Sequence, residues 1–67
     1  MNSSKIISKI KTLMKLKGIN QHELSLGTGF SDVSISRFLN GSRKLTIDFI
    51  IKISGYFDVS IDWLLNG

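Results

Sequence analysis

The chain has 67 residues, enough for one small domain of residues 1–67 that buries only about 60% of its unfolded surface. It contains no cysteine and a single histidine, so disulfide staples, thiol chemistry and Cys- or His-type metal sites are excluded, and no catalytic nucleophile–base set is visible. Hydrophobic content of 42% against 21% charge describes a folded domain, and a net charge of +4 points to a polyanionic partner, nucleic acid or an anionic membrane face.

That charge is unevenly spread. Residues 1–17 carry Lys5, Lys9, Lys11, Lys15 and Lys17 with no acid, whereas residues 18–67 set four bases against five acids, a net −1. The lysines are distributed around their helix, which fits a solvated face at least as well as a docking face. No apolar run exceeds three residues (Phe49-Ile50-Ile51), so no membrane span is expected. Lysines also interrupt the N-terminal apolar residues, unlike a secretory signal. A thiol-free chain of this kind suits the cytoplasm.

Ile6, Ile10, Leu13 and Met14 recur at the spacing of one helical face, and Gly18 follows at the position that favours glycine, predicting a helix over 4–17. Four further helix starts share one pattern, an apolar residue before the N-cap facing another at the fourth helical position. Ile19 and Leu24 flank the cap Asn20, with Glu23 completing a capping box, and predict a helix over 21–27. Phe30 and Ile35 flank Ser31, predicting 32–40. Leu45 and Ile50 flank Thr46, predicting 47–57, and Val59 and Leu64 flank Ser60, predicting 61–65. Asp32, Asp48 and Asp62 fall in first turns, where the helix dipole favours negative charge. The expected fold class is therefore all-α, a compact bundle of five short helices.

Only Thr28-Gly29-Phe30-Ser31 separates the second and third helices, the geometry of a helix-turn-helix. Ser25 is small where the third helix must approach. Ile35 and Phe38 point inward, which leaves Asp32, Val33, Ser36 and Arg37 outside. Such a turn also serves as plain architecture, so it does not by itself establish DNA binding.

Three stretches carry a more specific likeness: Gly18-Ile19-Asn20-Gln21-His22-Glu23-Leu24, Ser34-Ile35-Ser36-Arg37-Phe38-Leu39-Asn40-Gly41 and Asp58-Val59-Ser60-Ile61-Asp62-Trp63-Leu64-Leu65. In these the chain resembles the Cro/C1-type helix-turn-helix domain of lambdoid phage repressors and bacterial transcriptional regulators, from Ile6 to Gly67. The resemblance implies a lambda repressor-like bundle in the cytoplasm of a bacterial or phage-infected cell. It implies a homodimer on a palindromic double-stranded DNA operator, one recognition helix per half-site, with no cofactor, metal or membrane. By position, Gln21, Ser31, Asn40, Arg43 and Lys44 would hold phosphates. Asp32, Val33, Ser36 and Arg37 would read bases, with Arg37 suited to guanine, Val33 to a thymine methyl and Asp32 to the cytosine amino group.

Each assignment has a plainer competitor. Asp32 suits the helix dipole, Val33 fits an incidental exposed residue, and Arg37 serves equally well on a phosphate. His22 is expected to face solvent. The segment Phe57 to Leu65 holds more apolar side chains than so short a helix can bury. Trp63 and Leu64 are expected in the core and Phe57, Ile61 and Leu65 at a twofold partner.

The chain also departs from the resemblance. Met14 and Leu39 occupy positions where the family often carries a buried ion pair, and are expected to pack together. Thr28 takes a usually apolar place, and Asp58 a common glycine position. Gly27 and Gly55 each cost roughly 1 kcal/mol against alanine, which is expected to loosen the second and fourth helices. The same fold serves antitoxins and restriction-system controllers. A protein-interaction module, or a membrane-surface binder using the basic first helix, is the alternative of a different class.

Overall fold

The computed structural model describes residues 2–67, and among them it contains five helices and no strand. These are α1 (Ser3–Lys17), α2 (Gln21–Thr28), α3 (Asp32–Leu39), α4 (Ile47–Phe57) and α5 (Ile61–Asn66). Each boundary lies within one residue of its sequence expectation. The reason is local: Asn20, Ser31, Thr46 and Ser60 each accept a hydrogen bond from the backbone N–H three residues on. Asn2 does the same for α1, a cap that the sequence pattern did not single out. At Asn20 the capping box is complete, with Glu23 returning a carboxylate oxygen to the Asn20 N–H.

The apolar faces then define the interior. Ile6, Ile10 and Met14 of α1 are buried together with Leu24, Ile35, Phe38, Leu39 and the α4 face of Phe49, Ile50 and Ile53. The second member of every predicted staple, Leu24, Ile35, Ile50 and Leu64, is fully buried. Phe38 stacks on Phe49 with ring centroids 4.2 Å apart, and Phe30 meets both edge-on at 5.7 and 5.5 Å. This trio fixes the turn and α3 onto α4. Met14 and Leu39 both lie in the shared core, where α1 packs against α3.

Two expectations need correction. Trp63 is not a core residue: it is exposed, and only Leu64 of α5 is buried. Neighbours in a helix lie about 100° apart, and the inward face of the short α5 is taken by Leu64. The Trp63 ring instead lies beneath Lys9 Nζ, 5.2 Å from its centroid, and that ammonium donates to the carbonyl oxygens of Trp63 (2.7 Å) and Leu64 (3.3 Å). Lys9 thereby caps the C-terminal end of α5.

Gly27, secondly, does not loosen α2. A Cβ built there would overlap the Tyr56 ring of α4, so the missing side chain is what lets the two helices approach. Thr28, at its usually apolar place, is buried with its hydroxyl satisfied, donating to the Leu24 carbonyl at 2.8 Å and facing the Phe30 N–H at 3.5 Å. Asp58 adopts φ 55, the left-handed conformation anticipated where a glycine is more usual.

Candidate nucleic-acid interface

Helices α2 and α3 are joined through Gly29, whose φ of 80 is strained for a residue with a side chain. Ser25 is buried at their crossing, its hydroxyl 2.8 Å from the His22 carbonyl. Ile35, Phe38 and Leu39 bury one face of α3. Val33 and Arg37, four residues apart, therefore share the middle of the opposite face, and both are exposed. Asp32 and Ser36 form the adjacent row; Asp32 is exposed and Ser36 half-buried. The four residues expected to read bases thus lie on one side of α3, with Ser36 the least accessible.

The residues expected at phosphates surround this face. Gln21 is exposed in the first turn of α2, where unpaired backbone N–H groups favour an anion. Ser31 is exposed but committed locally: it caps α3 by accepting from the Ser34 N–H at 3.1 Å, and its hydroxyl lies 3.0 Å from that of Ser34. Asn40 ends α3 and accepts from the Ser42 N–H at 2.8 Å, leaving its amide nitrogen free to donate. Arg43 folds back along α3. Its Nη1 donates to the Ser34 hydroxyl at 2.8 Å and its guanidinium sits 5.3 Å over the Phe38 ring, with its other N–H groups unspent. Lys44 is exposed and makes no side-chain hydrogen bond or ion pair among the described residues.

One contact here was not anticipated. His22 Nδ1 lies 3.1 and 3.2 Å from the two Asp32 carboxylate oxygens, bridging the first turns of α2 and α3. An ionised carboxylate can only accept, so Nδ1 carries the proton. The Asp32 carboxyl is held below its ordinary value by the neighbouring Ser25 hydroxyl first and by His22 second; since that hydroxyl donates to the His22 carbonyl, His22 is the group bonded to Asp32. The pair is ten residues apart in sequence, across a turn, where no helical spacing rule reaches.

Behind the interface, Ser3, Ser4, Ile7, Ser8 and Lys11 of α1 form an open groove against Leu39, Asn40 and Gly41. No group of His, Cys, Asp or Glu able to hold a metal occurs among the described residues. No helix of the described residues is long and apolar enough to cross a membrane.

Two short helices meeting at a tight glycine turn, the second with an exposed outer face flanked by amides and cations, have the geometry of a helix-turn-helix. Residues 10–64 match the family model described as Helix-turn-helix. The chain belongs to this Cro/C1-type helix-turn-helix family of DNA-binding transcription regulators.

Proposed function

We propose that the protein is a transcriptional repressor that binds a palindromic operator as a homodimer, with α3 of each protomer in the major groove. The observation that carries this reading is the outer face of α3. Asp32, Val33 and Arg37 are exposed there while the opposite face is anchored by stacked Phe38 and Phe49. Arg37 supplies paired donors for guanine and Val33 an apolar contact for a thymine methyl. Gln21, Asn40, Arg43 and Lys44 hold the flanking phosphates and fix the register. Ser31 contributes to the phosphate contacts through its backbone side of the turn, its hydroxyl being engaged with Ser34.

The twofold partner meets the end of the bundle built by α4 and α5. Ile61 is exposed there, and Phe57 and Leu65 are half-buried. Selection of bound sites from random duplex DNA, followed by footprinting, tests the reading. Two half-sites of related sequence about 10 base pairs apart are expected. Recovery of no preferred sequence would refute it. Ile61→Asp, at an exposed position, should abolish cooperative occupation of the two half-sites; unchanged cooperativity would remove this patch from the interface.

A further inference from the structure

The His22–Asp32 bridge has a second, unspent end. His22 is the single histidine of the chain. Its side chain is 65% exposed and that of Asp32 60%, although Nδ1 is held by the carboxylate. The ring's other nitrogen, Nε2, makes no hydrogen bond within the described residues and lies on the far side of the ring from Asp32. It sits one residue from Gln21, in the same helix start that is read above as a phosphate-binding end.

A neutral imidazole carries one N–H, which Asp32 already engages; it has none left for a DNA oxygen. A protonated ring carries two. We propose that His22 is a positioning residue for DNA recognition, whose protonated ring donates Nδ1–H to Asp32 and Nε2–H to an operator phosphate, so that each protomer takes up a proton on binding. The carboxylate is thereby fixed at the start of α3 and its charge is offset where it would otherwise repel the DNA backbone. This inference rests on the reading of α3 as the base-reading helix.

No other charged group competes for the ring. On α2, Glu23 turns back to the Asn20 N–H. On α3, the remaining charge is Arg37 in the last turn, and Arg43, beyond its end, is bonded to Ser34. Asp48 and Lys52 of α4 form no ion pair with His22, and Lys17 of α1 lies over the Tyr56 ring. Histidine is the side-chain type whose charge ordinarily changes between pH 5 and 8, so a proton taken up in that interval has one side-chain source here.

The test measures affinity for the selected operator duplex at about pH 6 and about pH 8 at fixed ionic strength. The wild type is expected to bind several-fold tighter at the lower pH, because proton uptake on binding makes affinity rise as pH falls. His22→Gln keeps a single donor for Asp32 and cannot titrate; its profile should be flat. Calorimetry of the unaltered protein in two buffers of different ionisation enthalpy reads the proton directly, without dependence on any variant folding. Parallel profiles for wild type and His22→Gln, or zero proton uptake, would overturn the proposal while leaving operator discrimination intact. If the wild type fails to distinguish the operator from a scrambled duplex, the reading of α3 falls first and this proposal with it.

Discussion

Two glycines inside helices should respond in opposite directions to the same substitution. Helix propensity alone favours alanine over glycine by about 0.8–1.0 kcal/mol at either position. At Gly55 a new methyl meets nothing within 4 Å, so Gly55→Ala should keep that full gain. At Gly27 the same methyl overlaps the Tyr56 ring, which packs edge-on to Phe57 at 5.0 Å and carries Lys17 Nζ at 5.0 Å. Overpacking of this kind costs about 1–3 kcal/mol, which exceeds the propensity gain over most of its range. Gly27→Ala should therefore be destabilising by up to about 2 kcal/mol, the ring either swinging out from under Lys17 or forcing α2 and α4 apart. In a domain this small each kcal/mol moves the melting temperature by about 4–8 °C, so a circular-dichroism melt separates the two variants. Equal stabilisation by both substitutions would show that the α2–α4 approach does not depend on Gly27.

Met14→Arg, which places an unpaired cation in the core shared with Leu39, should destabilise by about 3–5 kcal/mol in urea titration, and adding Leu39→Glu should recover much of it. A double variant no better than the worse single one would show that the two are not partners. Arg37→Ala should cost about 1–3 kcal/mol of operator affinity and relax preference at one base pair per half-site. Gln21→Ala should weaken all single-base variants of the operator about equally; the pattern of losses across those variants checks both. The Asp32 carboxyl should titrate below ordinary aspartate in NMR, and Ser25→Ala or His22→Ala should each move it upward. Because its folded value is the lower one, the stability it contributes is present above the unfolded value and lost as pH falls through the folded value.

The helices were legible because each start is written in four or five adjacent residues. Asn20 with Glu23, and Ser31, Thr46 and Ser60 with their flanking apolar pairs, depend on nothing distant. The outer face of α3 followed from periodicity in the same way, apart from the partial burial of Ser36. What escaped was contact between elements. Lys9 reaches α5 across 54 and 55 residues, and no local pattern predicts that an N-terminal lysine caps the last helix. Trp63 was assigned inward on hydrophobicity, yet its ring serves that lysine at the surface. Gly27 looked like a weakness because its neighbour Tyr56 belongs to another helix. His22 looked idle because Asp32 lies across a turn.

The self-contained caps have a kinetic consequence. A helix nucleus is costly because several dihedral angles are fixed for a single hydrogen bond. In this chain every helix, α1 included, has an N-cap side chain that accepts from the backbone N–H three residues on. The bonds that start each helix thus close very small loops, and small helical domains rich in such local contacts fold in microseconds to milliseconds. Slow prolyl isomerisation is absent as well, since the chain has no proline. Folding of residues 1–67 is therefore expected to add little delay, and the slower steps are synthesis and any pairing of protomers.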